Sequence, residues 1–173
     1  PKLYLLEGHG EATLPSTFRE QIEKDNIELQ TFSLLTVDSV PEDADAVMIY
    51  APSSDISDIE KDMIVDYVER GGKLFVVAGA TKGGILENLY SILSDYGIIA
   101  NDSIVIEGNR QHYAFQAPFM LLPEMKRNVI TQSLIEENYY PIMPVSLGLT
   151  VKETPATITV TPLLRNSNYT FSK

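Results

Sequence analysis

The sequence contains no cysteine and no tryptophan, only two histidines, and 13 Lys+Arg against 24 Asp+Glu. Without cysteine there is no thiol nucleophile, no disulfide and no thiolate metal site. That absence leaves the compartment open, because a cysteine-free chain suits the cytosol and the bacterial exterior equally. A net charge of −11, with no basic run longer than Lys126-Arg127, repels phosphate backbones and argues against nucleic acid as a partner. No apolar stretch approaches the roughly 20 residues needed to cross a bilayer. What is present is ordinary for a globular chain: 173 residues, 44% apolar and 21% charged, enough to bury a substantial core without staples. The chain starts at Pro1 and ends in a polar Asn166-Ser167-Asn168 stretch followed by Tyr169-Thr170-Phe171, so it is expected to be an excised segment of a longer protein.

The pattern along the first hundred residues alternates strands with helices. Lys2-Leu3-Tyr4-Leu5-Leu6 reads as a buried strand, and Thr13 to Asp25 as a helix with Thr17-x-x-Glu20 as a capping box. Ile27 to Leu34 reads as an edge-side strand. Ala46 to Tyr50 and Lys73 to Ala78 are apolar throughout, the habit of strands covered on both faces of a parallel sheet. Between them Ser57-x-x-Glu60 opens a helix to Arg70 with Ile59, Met63, Ile64, Tyr67 and Val68 as its apolar stripe, stopped by Gly71-Gly72. Leu86, Leu89, Tyr90 and Leu93 define a third helix closed by Gly97. Ser103 to Ile106 is expected to join 2–6, 46–51 and 73–78 in one mostly parallel sheet with helices on both faces. Residues 109 to 128 lack a period and read as an irregular excursion; Ile142 to Val151 and Thr157 to Leu164 look β-rich and are expected to extend the sheet antiparallel. No repeat or low-complexity linker interrupts the chain, so a single α/β domain over 1–173 is expected.

Chemistry-bearing residues concentrate in Glu7-Gly8-His9-Gly10-Glu11, at the carboxyl end of the first strand, where a doubly wound sheet holds its ligands. Two carboxylates around a histidine suit a metal-assisted or general-base role, but three alternate side chains of one short loop must then converge, and the only other histidine is His112. No residue outside this loop is identified to orient His9. Gly8-x-Gly10 lacks the third glycine of a dinucleotide fingerprint, Thr13 standing there, and neither a P-loop nor a Gly-x-Ser-x-Gly elbow occurs. Ser53 and Ser54, with Asp55, follow the strand at 46–51; they could bind an anion through backbone N–H groups, but helix capping explains them without any ligand and is the favoured reading. Thr81 sits in the flexible 79–84 loop. The candidate binding residues are therefore Glu7, Gly8, His9, Gly10, Glu11, Ser53, Ser54 and Thr81, expected to line one cleft without turnover, with no catalytic residue, metal or cofactor assigned.

Three runs also carry a resemblance: Tyr4 to Glu11, then Val40-Pro41-Glu42-Asp43-Ala44-Asp45-Ala46-Val47-Met48-Ile49 with Pro52, then Tyr67 to Leu74. With Leu93 to Ile98, Val129-Ile130-Thr131 and Thr161-Pro162-Leu163-Leu164 in the same order, they resemble the soluble domain of gliding-motility-type (GldG-like) auxiliary components of ABC transporters, over nearly the whole chain. The resemblance implies a three-layer flavodoxin-like or class I glutamine-amidotransferase-like domain without the catalytic cysteine of that superfamily. It also implies carriage outside the cytoplasmic membrane by a membrane-anchored parent, with permease and ATPase subunits as partners. Where that family tends to have His-Pro before Ile-Thr, this chain has Asn128-Val129, so no role of that histidine transfers. The leading expectation is a non-enzymatic binding or assembly module of an ABC-type transport system. The alternatives are a hydrolase or metal-dependent enzyme using the Glu7/His9/Glu11 loop, and a small-ligand sensor of amidotransferase-like fold.

Overall fold

The computed structural model describes residues 1–173, which divide into two compact units, Pro1–Ile92 and Leu93–Lys173. In the first unit the chain runs β1 (Lys2–Leu6), α1 (Ser16–Lys24), β2 (Glu28–Phe32), β3 (Ala46–Tyr50), α2 (Asp58–Glu69), β4 (Leu74–Val77) and into α3 (Glu87–Asp95). The four strands form one parallel sheet in the order β2-β1-β3-β4. The chain moves outward from β1 to β2 through α1, then outward the other way from β3 to β4 through α2. Right-handed crossovers in opposite directions place the two helices on opposite faces, which is why β1 and β3 are apolar on both sides. Leu3, Leu5 and Met48 pack with Leu14 and with Ile22 of α1, while the alternate residues Tyr4, Leu6, Val47 and Ile49 are buried on the other face.

Local signals fix the helices unequally. α2 starts on a complete capping box: the Ser57 side chain accepts from Glu60 N–H, and Glu60 Oε2 accepts from the Ser57 N–H at 2.8 Å. α1 has none, contrary to the Thr17-x-x-Glu20 expectation. Pro15 (φ −54°, ψ 137°) occupies the cap position and makes Thr17 already helical, so its hydroxyl cannot serve the first turn. The buried stripe of α2 is Glu60, Ile64 and Tyr67, with Ile59 69% exposed. The helix is thus rotated so that a carboxylate holds the position expected for an isoleucine. α3 is capped from a distance, because Asp55 accepts from the backbone N–H groups of Asn88 (2.7 Å) and Leu89 (3.0 Å).

The second unit holds β5 (Ile98–Glu107), a single 3-10 turn at Arg110–His112, β6 (Met120–Leu121), β7 (Glu124–Met125), α4 (Gln132–Glu136), β8 (Met143–Pro144), β9 (Leu147–Val151), β10 (Leu164–Arg165) and β11 (Thr170–Ser172). Its largest sheet is antiparallel, in the order β11-β5-β9, and β6 with β8 and β7 with β10 form two-stranded ribbons. This corrects the expectation that 103–106 joins the parallel sheet. Gly97 (φ 85°) turns the chain directly from α3 into β5, and the strand pairs with segments that follow it by some forty to seventy residues. The β-rich reading of 157–164 reduces to Leu164 at the start of β10, and the C-terminal strands extend other sheets than the parallel one. Buried Glu107 anchors the end of this unit by accepting from the Asn109 N–H at 2.8 Å and from the Ser167 hydroxyl at 2.6 Å. No helix is long and apolar enough to cross a membrane.

Apolar burial and charge are divided between the units. Of 21 buried apolar side chains only Val105 and Leu121 belong to the second. The first unit carries 7 Lys+Arg against 17 Asp+Glu, the second 6 against 7, so nearly all of the negative charge resides in the first.

Candidate functional site

Strand order reverses between β1 and β3, and the crevice outside their carboxyl ends is where an open α/β sheet ordinarily takes its ligands. The chain fills that crevice with its own groups. After β1 the Glu7 N–H still pairs with the Phe32 carbonyl at 2.9 Å, and its side chain is exposed. The loop then folds inward at Gly8 (φ 119°) and Gly10 (φ 66°), conformations that glycine adopts without penalty. A Cβ at Gly10 would also run into the Ser53 hydroxyl, so the close approach of the loops after β1 and β3 itself requires glycine. The His9 carbonyl accepts from the backbone N–H groups of Ser53 and Ser54, each at 3.0 Å, and from the Ser54 hydroxyl at 3.0 Å.

The His9 side chain, 6% exposed, lies between two carboxylates: Nδ1 is 3.4 Å from Glu11 Oε1 and Nε2 is 3.0 Å from Glu60 Oε1. Glu11 folds back on its own loop, its Oε2 accepting from the N–H groups of Gly8 (3.1 Å) and His9 (2.9 Å). The facing atoms His9 Nδ1, Glu11 Oε1 and Glu60 Oε1 are buried without an aligned hydrogen bond, so the cluster holds by charge more than by bond geometry. Burial pushes the Glu60 carboxyl up, but the N–H and hydroxyl of Ser57 and the neighbouring His9 outweigh it and hold the group below its ordinary value. Each ring nitrogen of His9 thus faces the oxygen of a different carboxylate. A single cation cannot touch both nitrogens of one ring, and His9, Glu11 and Glu60 therefore do not converge as a three-ligand cage.

The structure thus brings Gly8, His9, Gly10, Glu11, Ser53 and Ser54 together, with His9 and Glu11 turned inward. Glu7 points away. Thr81 donates to the Gly84 carbonyl inside its own loop. Glu60 is the residue the sequence reading missed, and it supplies the partner for His9 from outside the loop. Its signal was present, since 60, 64 and 67 form an i, i+4, i+7 stripe, but the capping box already accounted for the glutamate. Asn128, at the position of the absent histidine, accepts from the Ile130 N–H and turns the chain toward α4.

Comparison with known proteins adds the family. The model for an ABC-type uncharacterized transport system, its auxiliary component, matches residues 1–173. The chain belongs to this family. As a member of the ABC-type transport auxiliary family it is an auxiliary component of such a system. No curated protein matches the sequence. Among solved structures the mmIFT52 N-terminal domain superposes with a TM-score of 0.72 at 16% identity, covering 99% of this chain and 75% of that one. At that identity the likeness concerns the fold, a mixed α/β arrangement with a four-stranded parallel sheet and added antiparallel strands.

Proposed function

We propose that this auxiliary component is a non-enzymatic assembly module, acting through protein contacts on the extracytoplasmic face of the membrane beside the permease and ATPase of its system. The observation that carries the reading is the burial of His9 between Glu11 and Glu60. The one histidine placed at the switch point is spent on holding two loops and a helix together. A general base must reach its substrate's proton, whereas His9 Nδ1 is buried and Nε2 is turned onto Glu60 Oε1. The strand order β2-β1-β3-β4 is that of the first strands of a flavodoxin-like sheet, which supports the finer fold assignment. Exposed Phe115, Val129, Tyr139 and Tyr140 in the second unit, whose net charge is close to zero, supply apolar contact area of the kind partners use.

Co-expression with the permease and ATPase of the same system tests the reading. A stoichiometric complex that survives purification is the expected result. Because the chain has no cysteine, a Ser54→Cys variant in intact cells should be modified by a membrane-impermeant maleimide. A chain that forms no complex and shows a turnover abolished by His9→Ala would replace this proposal with the enzymatic alternative.

A further inference from the structure

The strand β9 itself is uncharged at the edge of its sheet, and the extra residues of the register shift in its ladder, between Ala100 and Ile104, lie on β5 and leave β9 continuous. β9 lies at the border of the β11-β5-β9 sheet, and from Tyr139 to Val151 the chain has no charged residue. Leu149 is 62% and Val151 51% exposed. Edge strands are ordinarily blunted by lysine, by inward charge or by a covering loop. The ladder also shows which backbone groups are free. Lys152 N–H bonds the Gly97 carbonyl, Thr150 lies opposite Ile99 and, beyond the register shift, the Ser146 carbonyl accepts from Val105 N–H at 2.9 Å. Bonding toward β5 therefore falls on the even-numbered residues, and the N–H and C=O groups of Leu147, Leu149 and Val151 point away from β5.

We propose that this edge is a self-association surface, on which a second copy of the chain adds its own β9 antiparallel across a two-fold axis at Leu149. The sequence Leu147-Gly148-Leu149-Thr150-Val151 suits such pairing. Leu149 meets its counterpart on the axis, Leu147 meets Val151 on either side, and Gly148 meets Thr150. The outward groups all find partners in that register. Leu147, Leu149 and Val151 share a face with Ile98 and Ala100 of β5, so pairing also joins two apolar strips. Charge selects this edge over the other apolar one. β4, with Phe75 50% exposed, belongs to the unit with 17 acidic and 7 basic residues, where two copies repel; the unit containing β9 is close to neutral.

Sedimentation velocity of the whole chain over a concentration series up to ~1 mM reads the association directly. A monomer–dimer equilibrium that tightens with added salt is expected, as salt screens the net charge of −11. Leu149→Pro removes an N–H that points away from β5, so the circular dichroism and melting temperature should hold while the dimer is lost. Leu147→Lys and Val151→Glu should each weaken association by about tenfold and, combined in one chain, restore it, because the two positions face each other across the axis. That pair decides the matter even where the proline variant fails to fold. A chain monomeric throughout, a dimer indifferent to Leu149→Pro, or a double variant weaker than either single one overturns the proposal. An edge that binds only a strand of the permease or ATPase, with no dimer, overturns it equally.

Discussion

Replacing His9 by alanine removes the ring that stands between two buried carboxylates, and the structure sets the size of the loss. The Glu60 and Glu11 side chains are 5% and 9% exposed, so neither can recover its hydration without the β1 loop or the start of α2 moving. Breaking a buried ion pair by deleting one member costs about 3–5 kcal/mol, chiefly through the charge left behind. For a chain of this size each kcal/mol lowers the midpoint by about 2–4 °C, so His9→Ala should melt some ~6–20 °C below wild type. The compensating changes distinguish charge from packing. Glu60→Gln keeps the capping box, in which glutamine serves as well as glutamate, and Glu11→Gln keeps an acceptor for Gly8 and His9. In the triple variant no uncompensated charge is left, and most of the lost stability should return. Urea denaturation of the wild type, His9→Ala and the triple variant measures this. A loss below ~1 kcal/mol for His9→Ala, or a triple variant no more stable than the single one, would refute the charge argument.

Three further expectations concern Glu60, Asp55 and Gly10. Because the Glu60 carboxyl is held below its ordinary value of 4.5, its contribution is present above that value and lost as pH falls through the lowered one. The urea midpoint of wild type should therefore fall more steeply than that of Glu60→Gln as the medium is acidified below about pH 4.5. Asp55→Ala strips two N–H acceptors from the start of α3 and should cost about 1–2 kcal/mol, with hydrogen exchange at Asn88 and Leu89 accelerated first. Gly10→Ala should destabilise by more than ~1 kcal/mol, through both its positive φ and the Ser53 hydroxyl, and adding Ser53→Ala should recover only the part due to the clash.

What the sequence revealed follows from where its signals are local. β1, β3 and β4 are unbroken apolar runs bounded by turn residues, and the bounds of α2 are set by Ser57 and Gly71, so their positions were readable within a residue or two. The partners of β5 were not. An apolar strand reads the same in a parallel or an antiparallel sheet, and the choice lay in β9 and β11, some forty to seventy residues further on. The site was half legible for the same reason. His9 and its loop neighbours are adjacent in sequence, whereas Glu60 reaches His9 only because α2 turns that face inward. Asp55 shows the same limit: its composition announced a cap, but the helix it caps lies some thirty residues downstream.

The proposed role of this ABC-type transport auxiliary component through contact requires its switch-point cluster to be structural. The most direct measurement is the ATPase rate of the complex assembled with its permease and ATPase, comparing wild type with the chain carrying His9→Ala, Glu11→Gln and Glu60→Gln together. With fold retention checked by circular dichroism, the account predicts the same rate and the same stoichiometry for both. A folded triple variant that assembles normally but has lost the activity of the complex would contradict it, and would assign His9 and its carboxylates a part in the chemistry.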